Sequence, residues 1–164
     1  MKVAFVMGSD SDLPVVEKGI QTVKGFGIEV VVRVISAHRT PEAAETLAKN
    51  AETEGIGVII AAAGKAAHLG GVLAAYTTIP VIGLPIKSST LDGLDSLLSI
   101  VQMPPGIPVA TVAIDGAENA GILAAQILAL GNETLKQKLK EHKQTMAQKV
   151  AEKDAAVATK FNEH

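Results

Sequence analysis

Six consecutive residues, Ser36-Ala37-His38-Arg39-Thr40-Pro41, set a hydroxyl, an imidazole and a guanidinium side by side. Histidine is the side chain whose unperturbed pKa lies nearest neutrality, and arginine forks onto phosphate or carboxylate oxygens. That combination predicts proton transfer on an anionic small molecule. Two further segments carry related chemistry. Gly8-Ser9-Asp10-Ser11-Asp12 offers free backbone N–H groups and two hydroxyls for an anion, with Asp12 able to accept from a sugar diol. The same residues also read as an ordinary helix cap. Gly64-Lys65-Ala66-Ala67-His68-Leu69-Gly70-Gly71 combines small residues, which let a ligand approach the backbone, with a second imidazole. His68 reads either as a ligand-facing group or as a histidine that caps a helix or bonds a carbonyl. Lys65 reads as a solvated loop charge.

The elements around these segments explain their placement. Residues 3–7, 28–35, 57–63, 81–84 and 107–113 are short apolar, β-branched or alanine-rich runs and predict five strands. Residues 13–24, 42–54, 91–101 and 117–130 show helical spacing, and a short helix follows the Gly64–Gly71 loop through Tyr76. Alternating βα units predict a parallel sheet with helices on both faces. Five strands fit a three-layer flavodoxin-like fold, in which ligands bind at the carboxyl ends of the strands. His38 and His68 both fall at such ends, which favours a functional role for each. Lys87-Ser88-Ser89-Thr90 follows the fourth strand with more hydroxyls than a cap requires.

Residues 1–131 form the predicted catalytic domain, and residues 132–164 a helical extension. Between 133 and 161 the chain is rich in Lys, Glu, Gln and Ala, without Gly or Pro. Leu135, Leu139, His142, Met146, Val150, Val157 and Phe161 recur there at helical spacings. They make one apolar stripe on a helix of roughly 40 Å. A helix of that length outruns so small a body, so the stripe predicts packing on a neighbouring subunit.

Composition narrows the function classes. The 164 residues carry a formal net charge of -2, with no basic stripe interleaved with aromatics, so nucleic acid is not an expected partner. Cysteine is absent, which excludes thiolate chemistry and disulfides and accords with a cytoplasmic location. The apolar run after Lys2 is too short for a signal peptide or a membrane span, so no membrane association is expected. Neither a Walker A pattern nor GxGxxG occurs, which argues against an ATP or NAD site. Two histidines without a nearby carboxylate or cysteine make a poor metal site. No aspartate ends the third strand, which argues against a phospho-receiver.

Several segments, taken in order, resemble the PurE family of purine biosynthesis, in particular its class I members, the N5-carboxyaminoimidazole ribonucleotide mutases. They are Met7-Gly8-Ser9-Asp10-Ser11-Asp12, Ser36 to Pro41, Ala66-Ala67-His68-Leu69, and Leu94-Asp95-Ser96-Leu97 through Ser99-Ile100-Val101-Gln102-Met103-Pro104. The likeness runs from about Val3 to Leu130. It implies transfer of a carboxylate from the exocyclic N5 of an aminoimidazole ribonucleotide to ring C4, by decarboxylation and recarboxylation, without metal or cofactor. His38 would be the general acid/base. Ser9, Asp12 and Arg39 would bind substrate, Arg39 on phosphate and Asp12 on ribose, with Ser11 and Ser36 supporting the phosphate. Ala37 and Gly64 complete the substrate-binding set. Ala66, Ala67, His68 and Leu69 would wall the migrating carboxylate, in a pocket dry enough to hold CO2.

This chain departs from the family pattern at Lys65, where many members have glycine, and at Gly70, where many have proline. Class I members form octamers, with the C-terminal helix crossing to a neighbour, so a homo-octamer is expected. Two other functions fit the same residues: a carboxylase using CO2 directly, and a non-catalytic module that binds a phosphorylated metabolite.

Overall fold

In the computed structural model, which describes residues 1–162, the apolar runs form five strands: β1 (Lys2–Met7), β2 (Glu29–Val34), β3 (Ile56–Ala63), β4 (Val81–Pro85) and β5 (Ala110–Thr111). His164, which the sequence assigns to the tail, lies outside the described residues. All pairings are parallel, in the order β2-β1-β3-β4-β5. This is the flavodoxin-like order. Helices α1 (Leu13–Gly25), α2 (Pro41–Asn50), α3 (Leu69–Ala75), α4 (Leu94–Val101), α5 (Ala117–Ala129) and α6 (Glu133–Phe161) complete the chain.

The period of two along each strand divides the core between the two faces of the sheet. Val3, Phe5 and Met7 of β1 and Val58 and Ile60 of β3 point to one side, where Val16, Ile20, Ala120, Ala124 and Leu128 of α1 and α5 bury them. Ala4, Val6, Ile59 and Ala61 point to the other and meet Leu47, Leu73 and Ile100 of α2, α3 and α4. Helix and sheet approach closely where side chains are small. A Cβ on Gly19 of α1 would lie 2.6 Å from the Ala117 carbonyl of α5, and one on Gly83 of β4 would lie 2.3 Å from Ile100 Cγ2 of α4.

Four elements differ from the sequence expectation, each for a local reason. β5 is two residues long rather than seven, and Pro108, within the expected run, supplies no N–H to a ladder. Only Val112 N–H extends it, donating to the Gly83 carbonyl at 3.0 Å. α2 stops at Asn50, and the turn beyond it ends in Gly55 at φ +76°. α3 starts at Leu69, inside the expected glycine-framed loop. The span 91–101 is interrupted by Leu91, Asp92 and Gly93, all with positive φ, so α4 begins only at Leu94. The expected tail helix is present as α6. Its stripe is buried at Leu135 and partly buried at Leu139 and His142, where the imidazole packs edge-on against Phe26 at 5.3 Å. From Met146 onward, Val150, Val157 and Phe161 are exposed. No helix among the described residues is long and apolar enough to cross a membrane.

The contact between Gly83 and Ile100 keys α4 onto the sheet. Gly83→Ala is expected to lower unfolding stability by about 1–3 kcal/mol through overpacking, measured by urea denaturation.

Candidate active site

Parallel registers bring the carboxyl ends of four strands level: Met7 pairs with Val34 and Ala62, and Ala63 with Pro85. The ladder continues one step beyond the strands. Gly8 N–H donates to Ala62 O at 3.0 Å, Ile35 N–H to Met7 O at 2.9 Å, and Ile86 N–H to Ala63 O at 2.9 Å. The loops that follow therefore leave from fixed points and enclose a cavity of about 650 Å³.

The first loop is organised by Ser9. Its backbone is extended, and its Oγ accepts from Ser11 N–H at 3.3 Å and from the Ser11 hydroxyl at 2.8 Å, capping the 3-10 turn Asp10–Asp12. The capping expectation holds, and Gly8, Ser9, Ser11 and Asp12 also line the cavity. Asp12 is only 8% exposed. Burial pushes its carboxyl above the usual range, opposed by hydrogen bonds from the Ser9 backbone and the Ser11 side chain and reinforced by the charges of Asp10 and Asp115.

The second loop is a single tight turn. Ser36 O accepts from Thr40 N–H at 2.8 Å and from Thr40 Oγ1 at 3.0 Å, and Thr40 Oγ1 accepts from Ser36 N–H at 3.0 Å. Ser36 Oγ accepts from the Arg39 backbone N–H at 3.2 Å and from Arg39 Nε at 3.3 Å. Arg39 Nη2 then donates to the Gly8 carbonyl at 3.2 Å, so the guanidinium spans the first two loops. Its remaining N–H groups stay available to an anion.

His38 lies 3.0 Å from His68, Nε2 to Nδ1, with the two rings nearly perpendicular at 81°. At that distance one nitrogen carries the hydrogen and the other accepts it, so the pair holds a proton between loops 30 positions apart. His68 makes no side-chain cap to α3. Both rings and Arg39 are exposed, so this single chain does not form the dry pocket expected around His38.

Gly64, Lys65, Ala66 and Leu69 supply the opposite wall. Ala67 does not, because it is 1% exposed and packs into the core. Lys65 lines the cavity and is exposed, in keeping with a solvated loop charge, and its backbone is left-handed at φ +55°. Glycine, the residue that the resemblance implies here, adopts that conformation without strain. Ile86, Lys87, Ser88 and Ser89 form the remaining wall and were not among the expected site residues. The surplus hydroxyls after β4 were the available signal. Ser88 Oγ donates to the Asp95 carboxylate at 2.9 Å, which holds the loop onto α4. Arg39, Lys65 and Lys87 outnumber Asp12 on the cavity wall, an excess of positive charge suited to a phosphorylated or carboxylated ligand.

Fold and cavity together define a flavodoxin-like α/β protein with a cation-rich cavity and a histidine pair at the carboxyl edge of its sheet. A model of the AIR carboxylase family matches residues 2–149, and the chain belongs to that family. It is 60% identical over 145 residues to the N5-carboxyaminoimidazole ribonucleotide mutase of Pyrococcus abyssi, covering 88% of this chain and 83% of that protein. It is 56% identical over 152 residues to the protein of the same name in Thermotoga maritima, covering 93% and 89%. The phosphoribosylaminoimidazole carboxylase of Vigna aconitifolia is 51% identical over 89% of this chain, which spans 26% of that longer protein. Among solved structures, Treponema denticola PurE superposes with a TM-score of 0.84 at 33% identity, covering 94% of this chain and 96% of that one.

A carboxyl with a raised pKa favours the folded state below its unfolded pKa, near 3.8, and that contribution is lost as pH rises through the folded value. Asp12→Asn is therefore expected to raise the melting temperature more at pH 7 than at pH 4, by differential scanning calorimetry. An equal change at both would contradict the burial penalty on the carboxylate.

Proposed function

We propose that this chain is an N5-carboxyaminoimidazole ribonucleotide mutase, an isomerase of purine biosynthesis. The observation that carries the mechanism is the 3.0 Å contact of His38 with His68 beside the Arg39 anion site. The reaction itself is supported by the names of relatives at 56% and 60% identity.

Arg39 receives the substrate phosphate, with Ser9, Ser11 and Ser36 as hydroxyl partners, and Asp12 accepts from the ribose. Ala37, Gly64, Ala66 and Leu69 contact the base and the migrating carboxylate. Ala67 supports that wall from behind, and His68 makes the polar contact beside it. Cleavage of the N5–carboxyl bond releases CO2, and N5 gains a proton. C4 then attacks the CO2 carbon, and the resulting tetrahedral C4 loses its proton. One proton thus moves from C4 to N5 per turnover. His38, which lines the cavity, carries it as general acid and base, a role suited to an imidazole, whose ring nitrogens can both give and accept a proton. His68 holds the His38 ring in place through the shared hydrogen. The reaction as drawn needs no metal or organic cofactor.

The exposure of His38 fits a site completed by a second copy of the chain. Residues 1–131 act as the catalytic domain, and the extension that begins at residue 132 reaches, through α6, onto a neighbouring subunit of a cytoplasmic homo-octamer. The exposed apolar side chains of α6 beyond Met146 support that arrangement. A carboxylase using CO2 directly is the second reading, favoured by the name of the Vigna aconitifolia relative.

Supplying N5-carboxyaminoimidazole ribonucleotide, or aminoimidazole ribonucleotide with bicarbonate, in parallel assays separates the two readings. Turnover of the first without added bicarbonate is expected, and activity only on the second would overturn the mutase. His38→Asn is expected to lower kcat by about 10²–10⁴-fold, and near-normal turnover would remove it from the mechanism. Truncation after Lys143 keeps the buried start of α6 and removes the exposed stripe. A lower mass by light scattering is expected, and an unchanged mass would contradict the subunit contact.

A further inference from the structure

We infer that Ser96, a residue outside the cavity, is a positioning residue for the proposed reaction, acting as the tie that sets one cavity wall against another. Ser96 stands on the first turn of α4 and is 0% exposed. Its hydroxyl accepts from Lys65 N–H at 2.9 Å and donates to the Ile86 carbonyl at 2.9 Å. One oxygen therefore joins the loop after β3 to the loop after β4. The bond to Ile86 is buried, so deleting the hydroxyl leaves that carbonyl unpaired, and it also frees the Lys65 N–H from its partner on α4.

Two neighbours act with it. Ser99 Oγ lies 3.4 Å from the Lys65 carbonyl and 2.7 Å from the Asp95 carbonyl, and Asp95 takes the Ser88 hydroxyl. α4 thus grips both loops from behind the cavity. Lys65 needs the grip most, because its left-handed backbone is strained for a residue with a Cβ. Its N–H is held by Ser96, and its carbonyl faces Ser99. The segment so fixed begins the wall that the proposed function assigns to the migrating carboxylate. Ser9, Asp12 and Arg39, on the other two loops, do not touch Ser96.

This inference rests on the mutase reading, and the experiment separates the two. Steady-state kinetics with N5-carboxyaminoimidazole ribonucleotide compares the unaltered chain, Ser96→Ala, Lys65→Gly and the double variant. Ser96→Ala is expected to lower kcat by about 10- to 100-fold, the effect of misplacing a positioned group, with KM little changed because the phosphate and ribose contacts are intact. Glycine adopts the left-handed conformation unaided, so Lys65→Gly is expected to recover part of the lost kcat in the Ser96→Ala background. Amide hydrogen exchange over residues 64–69 is expected to quicken in Ser96→Ala by more than the accompanying fall in global stability accounts for.

If the unaltered chain fails to turn the ribonucleotide over, the mutase reading fails. If it is active and Ser96→Ala matches it, or the two substitutions combine additively, the positioning role is overturned. Should Ser96→Ala not fold, Ser96→Cys keeps the volume with a much weaker hydrogen-bonding group, and the same outcomes decide.

Discussion

The pairing of β1 with both of its neighbours, in registers that set Met7 level with Val34 and Ala62, determines where the loops after β1, β2 and β3 begin. β1 is nearly wholly buried, and its Phe5 and Val6 face opposite helical layers. A slip of one residue would exchange those two sets of side chains and place each against the wrong layer. The core therefore resists a slip, and through it the loops after β1, β2 and β3 keep their separations. The Arg39–Gly8 bond depends on the first two of these loops, and the His38–His68 contact on the second and third.

Backbone strain is concentrated around the same edge. Among the described residues, four non-glycine positions have positive φ: Lys65 after β3, Leu91 and Asp92 after β4, and Asp115 after β5. None lies at the opposite end of the sheet, although a larger hollow of about 810 Å³ opens there beside Lys49 and Tyr76. Strained backbone persists where surrounding contacts over-determine it. Asp115 illustrates this: its N–H donates to Pro85 O at 2.8 Å, while its carboxylate accepts from Lys87 N–H at 2.8 Å. Strain of this kind marks the site independently of which residues could do chemistry.

The residues legible in the sequence were those whose neighbours in the chain are also their partners. Ser9 caps its own turn, Ser36 holds Arg39 three positions on, and the strands announce themselves by period and β-branching. What the sequence concealed depends on distant contacts. Lys65 is the exposed charge that its loop suggests, but its left-handed backbone is held by Ser96, 31 positions away. Ile86 to Ser89 enter the cavity because β4 pairs beside β3, and Ala67 leaves it because the chain turns that methyl into the core. The fifth strand was overestimated for a related reason, since apolar character alone says nothing of missing ladder donors.

Arg39 is already immobilised before any ligand arrives. Ser36 Oγ and Gly8 O hold its guanidinium through Nε and Nη2, so several side-chain torsions are fixed by the fold. The rotamer entropy of a long cationic side chain, which would otherwise oppose ligand binding, is lost when the protein folds. A lysine there would carry the same charge but would have to be ordered by the ligand, and it would lack the planar fork that keeps donors to spare after two are engaged. The anion site proposed for Arg39 would thus discriminate by shape as well as sign, because two hydrogen bonds set the direction of the guanidinium in advance.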